Sequence, residues 1–108
     1  MIKDFTFEEI DHIPGLVLLE FGAEWCGYCR AAQPLIKAAL AKHPDIRHIK
    51  IEDGKGNRLG RQYGIKLWPS LIFIRDGKEV SRLVRPQNAG IIAQHLADLG
   101  KPPSPDSQ

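Results

Sequence analysis

Cys26 and Cys29 are the only cysteines in the chain, and two residues separate them in EFGAEWCGYCRAAQP, residues 20–34. Three chemistries are open to such a pair. A structural staple is the first, but a disulfide across so short a loop removes little entropy from the unfolded chain. Half of a zinc site is the second, because zinc takes about four ligands. Of the four histidines, His12, His43, His48 and His95, the pair His43 and His48 completes a formal Cys-x2-Cys…His-x4-His count. The intervening AAQPLIKAALAK reads as helix, however, and carries the histidines several turns away. The third chemistry is reversible thiol–disulfide exchange. It needs one thiol that ionises readily and a second close by that ionises later.

The elements around the pair supply that asymmetry. LVLLEFGA, residues 16–23, is apolar apart from Glu20 and follows Pro14-Gly15, which predicts a strand buried on both faces. A helical pattern runs from Trp25 to His43, with Ala31, Leu35, Ala38, Ala39 and Lys42 at helical spacings. Pro34 is expected to kink it and Pro44 to end it. Cys26 then stands at a helix N-terminus, where unpaired N–H groups and the dipole favour a thiolate. Cys29, a turn further in, is shielded by the helix. The first thiol is expected to be exposed, and Gly27 to permit the close approach of the two.

Beyond the helix, IRHIKI (46–51) alternates as a second strand, DGKGN is a loop, and RLGRQYG is a short helix ending at Gly64. SLIFI (70–74), the turn RDGK and EVSRLV form a hairpin. NAGIIAQHLADLG (88–100) is an amphipathic helix with a stripe of Ile91, Ile92, His95, Leu96 and Leu99. A weak extra strand and helix fall in residues 2–13. The product is an α/β fold: a mixed sheet of four to five strands, with a right-handed parallel crossover, an antiparallel hairpin and helices on both faces. Residues 1–100 form one domain, and the Pro-rich stretch from 101 to 108 is expected to be a disordered tail.

Composition narrows the function. A net charge of +2 is too small to argue for nucleic acid or an anionic membrane. No apolar run reaches the length of a membrane span, and MIKDFTFEEIDHIPG lacks the apolar core of a signal peptide. The expected compartment is the cytosol. An apolar fraction of 43% with 26% charged residues suits a globular domain of 108 residues.

The element order and three local motifs resemble the thioredoxin family across roughly residues 3–99. AEWCGYC is similar to the family's Ala-Glu-Trp-Cys-Gly-Pro-Cys, with Tyr28 in place of proline. Pro34 stands where thioredoxins carry a helix-kinking proline. YGIKLWPSLIFIRDGKEV resembles the family's Tyr-Gly-Ile-x-x-x-Pro-Thr segment and the hairpin after it. The resemblance implies a thioredoxin fold and a protein-disulfide reductase: Cys26 attacks a substrate disulfide, and Cys29 resolves the mixed disulfide. It implies a cis bond at Trp68-Pro69, leaving the Trp68 backbone to pair with an extended substrate segment.

The resemblance also bears on Glu20, an acid in an apolar strand. It matches a buried aspartate thought to relay a proton to or from the second cysteine, with Lys50 matching a nearby family lysine. Burial is expected to raise the Glu20 pKa; the alternative is a carboxylate that faces solvent or serves an ion pair. Trp25 and Trp68 are expected at a substrate rim, with core packing the alternative for Trp68, while Tyr63 and Phe73 read as core. No cofactor or metal is implied. The expected partners are protein disulfides and an electron donor resembling thioredoxin reductase, with the chain acting as a monomer.

Three departures cluster at that rim. Tyr28 replaces a proline, Trp68 replaces a smaller aliphatic residue with Leu67 where glycine is common, and LVRPQN (83–88) replaces Val-Gly, placing Arg85 and Pro86 at the docking surface. A Gly-Tyr pair between the cysteines also occurs in some bacterial disulfide isomerases. An exported isomerase or oxidase, a non-catalytic thioredoxin-fold binding module, and a metal or cluster site shared by two subunits are the competing functions.

Overall fold

The computed structural model describes residues 4–101. In chain order the elements are α1 (Phe7–Asp11), β1 (Leu16–Gly22), α2 (Gly27–Leu40), β2 (Arg47–Glu52), α3 (Arg58–Gln62), β3 (Ser70–Arg75), β4 (Lys78–Val84) and α4 (Ala89–Leu99). The strands form one mixed sheet in the order β2-β1-β3-β4. β1 and β2 are parallel and joined through α2, while β3 is antiparallel to both β1 and β4.

Alternation along the strands builds two cores. Val17, Leu19 and Phe21 of β1 join Ile72, Ile74, Ile49 and Ile51 on the face covered by α1 and α3. Leu18 joins Leu71 and Phe73 beneath α2 and α4, against Ile36, Ala39, Ile92, Leu96 and Leu99. Each fully buried side chain of this size contributes about 1.5–3 kcal/mol of transfer free energy. Glu20 and Gly22 continue the parity of Leu18, so they too face α2. That parity brings the acid and the cysteines together.

The β3–β4 turn is Asp76-Gly77, both at positive φ (48° and 82°), the geometry of a two-residue hairpin. Asp76 fastens it to the start of β1: its N–H donates to the Gly15 carbonyl, and its Oδ1 accepts from Gly15 N–H. α1 opens with a capping box between Thr6 and Glu9. α3 ends at Gln62, with Gly64 at φ 67° closing the turn.

Several expectations change. The sheet has four strands among the described residues, and residues 4–6 form no strand; any strand beginning at residue 2 falls partly outside them. Of the expected tail, 102–108 lies outside the described residues. α2 is shorter than the sequence pattern, starting at Gly27 and ending at Leu40. Its buried face is Cys29, Ala32, Ile36 and Ala39, while Ala31 and Ala38 are exposed. The stretch is rich in Ala and Leu on every side, so the sheet rather than the pattern selects the face. Pro34 lies inside an unbroken α2. In α4, Ile91 is exposed and the stripe is Ile92, Leu96 and Leu99.

Candidate active site

Cys26 is the N-cap of α2. Its backbone is extended (φ −81°, ψ 120°), and its Sγ accepts from the Cys29 N–H at 3.3 Å. A sulfur therefore fills the role that a Ser or Asp oxygen plays at most helix starts. Burial pushes the Cys26 thiol up. Hydrogen bonds from the Cys29 side chain, the Cys29 N–H and the Tyr28 N–H, with the Arg85 charge, outweigh that and bring it below the ordinary thiol value. Cys29 moves the other way, to about 11: burial comes first, then the hydrogen bond it makes with Cys26.

The two thiols are displaced in opposite directions, but not because one is exposed and the other shielded. Cys26 is 7% exposed and Cys29 5%, so both are buried. Burial raises both thiols; hydrogen bonds and the Arg85 charge overcome it at Cys26, while at Cys29 burial dominates and the bond with Cys26 adds to it. Gly27 is likewise not the residue that permits close approach, since a Cβ there would meet nothing within 4 Å. The close approach that needs a glycine is that of Cys29 to β1: a Cβ on Gly22 would stand 2.9 Å from Cys29 Sγ. Gly27→Ala is expected to fold and retain disulfide exchange, whereas Gly22→Ala is expected to displace Cys29 and slow oxidation of the pair. Thermal melts and the rate of thiol loss under an oxidised dithiothreitol challenge distinguish the two variants.

Glu20 is 3% exposed, so it faces the interior and not solvent. Its partners are not those expected. His48 Nε2 lies 2.7 Å from Glu20 Oε1, and Gln33 Nε2 donates to Oε2 at 2.7 Å. Gln33 Nε2 also donates to the Cys29 carbonyl at 3.0 Å, and its Oε1 accepts from Lys50 Nζ at 2.7 Å. Lys50 therefore reaches the acid through Gln33 and adds only its charge. Burial pushes the Glu20 carboxyl up, but the hydrogen bonds from His48 and Gln33, then the charges of His48 and Lys50, hold it below its ordinary value. This reverses the expected rise: a buried acid with two strong partners stays a carboxylate.

His48 and Gln33 were not singled out for the site. Parity in IRHIKI places His48 and Lys50 opposite Ile49 and Ile51, but the match to Glu20 needs the β1–β2 register. Replacing His48 by Ala is expected to cost about 1–3 kcal/mol, because a buried carboxylate loses a charge-assisted hydrogen bond. The Glu20 carboxyl should then titrate at higher pH, as read from its side-chain carbon in NMR alongside urea denaturation. A cleft of about 260 Å³ lined by Glu20, Gly22, Cys29, Gln33 and Lys50 joins the acid to the second thiol.

The rim stands on the other side of the pair. The Trp68-Pro69 bond is cis, as expected, and Trp68 packs on Ala23, Cys26 and Cys29. Trp68 is half-buried: its indole N–H donates to Asp53 Oδ2 at 2.9 Å, and Trp25 meets it edge to face at 5.3 Å. Trp68 therefore serves the core and the rim together, with buried Asp53 as an anchor the sequence did not reveal. Trp25 and Tyr28 are 66% and 61% exposed. Phe73 is core, and Tyr63 packs partly buried beside Phe21. The formal zinc spacing does not assemble: among the described residues, no three His, Cys, Asp or Glu side chains are placed to hold a metal.

A helix N-terminus presenting Cys-x-x-Cys beside a cis-proline, on a mixed sheet with helices on both faces, defines a thiol–disulfide oxidoreductase domain. The comparisons are specific. The thioredoxin family's sequence model matches residues 2–98. Thioredoxin from Chlamydia trachomatis serovar D is 41% identical over 70 residues, covering 65% of this chain and 69% of that one. Thioredoxin from Chlamydia pneumoniae is 36% identical over 86 residues, covering 78% and 84%. Among solved structures, thioredoxin 2 from Pseudomonas aeruginosa in its reduced form superposes with a TM-score of 0.83 at 43% identity, covering 92% of each chain. The chain belongs to the thioredoxin family. It carries that family's redox cysteine pair at Cys26 and Cys29.

Proposed function

We propose that the protein is a reductant of protein disulfides. The observation that supports this reading is the Cys26–Cys29 pair at the start of α2 in a chain similar to curated thioredoxins, with Cys26 displaced below the ordinary thiol value and Cys29 up to about 11. The Cys26 thiolate attacks one sulfur of a substrate disulfide. A Cys26–substrate disulfide forms, and the other substrate sulfur leaves as a thiolate that takes a proton from water. Cys29 then gives up its proton, and its sulfur attacks Cys26 Sγ. The second substrate sulfur leaves, and the Cys26–Cys29 disulfide remains. Two electrons have passed to the substrate, and a dithiol donor resembling thioredoxin reductase returns them.

In this reading Glu20 accepts the Cys29 proton through the cleft, and Gln33 with Lys50 and His48 holds it in place. Trp25, Gly27, Tyr28, Trp68, Pro69 and Arg85 form the surface that takes an extended substrate segment. The exchange needs no cofactor. The site requires one copy of the chain, which suits a monomer, and the cytoplasm suits a reductant. Among the described residues no helix is long and apolar enough to cross a membrane.

Equilibration of the pair against dithiothreitol and glutathione buffers, followed by thiol labelling, tests the direction. A reductant is expected near −270 mV, the general value for thioredoxin, and an isomerase or oxidase at about −180 to −120 mV. A value in the latter range would overturn the reductase reading in favour of disulfide donation or shuffling.

A further inference from the structure

The three departures from the family pattern, Tyr28, Trp68 and Arg85, meet in space. Arg85 stands at φ 51°, a backbone region that side chains other than glycine seldom adopt. Its N–H donates to the Pro69 carbonyl at 2.9 Å. Its Nε donates to the Trp68 carbonyl at 2.8 Å. Its guanidinium carbon lies 3.9 Å from the centre of the Tyr28 ring. One side chain therefore spans the docking groove, from the residue before the cis-proline to the residue between the cysteines.

Two consequences follow. First, the Trp68 carbonyl is not left open to an extended substrate, as the resemblance implied, because Arg85 already engages it. A substrate N–H approaching that oxygen must share it or displace Nε. Second, the terminal Nη groups of Arg85 make no hydrogen bond among the described residues, although the guanidinium lies over an exposed ring beside the nucleophile. A planar fork of donors held at the rim matches a carboxylate in the two-pronged geometry that arginine favours. Stacking on Tyr28 limits its rotamers, so less entropy is lost when the carboxylate arrives.

We propose that Arg85 is a substrate-exchanged latch: it holds the Trp68 carbonyl in the free protein and turns to an Asp or Glu beside the reactive cysteine of an incoming disulfide. The protein thereby favours acidic disulfide segments over basic ones. This rests on the reading of the rim as the substrate surface, and it adds a charge class to that surface.

The test uses the full chain and two disulfide-bonded peptides, identical except for Glu or Lys next to the attacked cysteine. The wild-type protein is expected to reduce the Glu peptide with a kcat/KM at least about threefold above the Lys peptide, in the range of a partly exposed charge-assisted pair. In Arg85→Gly, where glycine accepts the positive φ without strain, the ratio is expected to fall to about one. Arg85→Lys keeps the charge but loses the fork, so its ratio should be intermediate and fall further with added salt. An unchanged ratio in Arg85→Gly, or in Arg85→Lys should the glycine variant not fold, overturns the latch. Turnover of neither peptide by the wild type sinks the oxidoreductase reading itself. Equal turnover of both by the wild type sinks only the latch.

Discussion

Cys29→Ser is expected to arrest the protein on its substrate. The first step needs only the Cys26 thiolate, and part of its support survives the substitution: the backbone N–H groups of Cys29 and Tyr28 and the charge of Arg85. A serine hydroxyl can still donate the side-chain hydrogen bond. The second step needs a sulfur held beside Cys26 Sγ, and the substituted side chain has none. Intramolecular attack by a well-oriented group has an effective molarity on the order of 10⁵ M or more. A millimolar external thiol is no substitute, so turnover should fall about 10³-fold or beyond while the covalent adduct accumulates. Non-reducing electrophoresis and intact mass read the adduct directly. Cys26→Ser is expected to give neither adduct nor turnover. An adduct that resolves at the wild-type rate without Cys29 would show that another nucleophile completes the reaction.

The second large effect concerns Glu20. Its carboxyl lies below its ordinary value and the Cys29 thiol above its own, so in the resting dithiol the proton stays on Cys29. Proton transfer between them is strongly uphill in that state. Two of the causes that raise Cys29, however, are its hydrogen bond with Cys26 and the Cys26 charge. Both end when Cys26 is bonded to substrate. That brings the Cys29 thiol down toward its ordinary value, while burial still raises it; in the proposed mechanism the Glu20 carboxylate takes the proton at this stage. Glu20→Gln keeps the shape but cannot accept the proton, and resolution of the mixed disulfide is expected to slow about 10²-fold. Formation of the mixed disulfide should change little. Single-turnover stopped-flow between pH 6 and 9 separates the steps. An unchanged resolution rate across that range would remove Glu20 from the mechanism.

The same carboxylate has a stability signature. Its folded pKa is depressed, so it stabilises the fold above its unfolded value of about 4.3, and that contribution is lost as pH falls through the folded value. Glu20→Gln should therefore flatten the acid side of the stability profile, which urea melts from pH 3 to 7 would show.

Much of this protein was legible in short stretches of sequence. The redox pair, the strand before it, the Asp76-Gly77 hairpin and the order of the elements rest on residues within a few positions of one another, whereas the cis bond at Trp68-Pro69 followed only from the family resemblance. Backbone conformation and helix capping act over that range, so a local pattern is enough to specify them. The parity of β1, with Leu18 and Glu20 on one face, was equally readable.

What surrounds the cysteines was not. Glu20 meets His48 across 28 positions, Lys50 meets Gln33 across 17, Trp68 meets Asp53 across 15, and Arg85 meets Trp68 across 17. These contacts depend on strand register and, for Gln33, on which face of α2 the sheet selects, and neither is encoded near the residues concerned. The direction of the Glu20 shift shows the consequence. Burial in an apolar strand raises a carboxyl pKa, and that much follows from the chain alone. Two hydrogen-bond partners brought in by the fold, with the charges of His48 and Lys50, reverse the sign, because together they stabilise the carboxylate more than desolvation penalises it. The chemistry available to the protein was thus written in its two cysteines. The ionisation of its groups, and the latch across its docking groove, came from the packing of distant side chains.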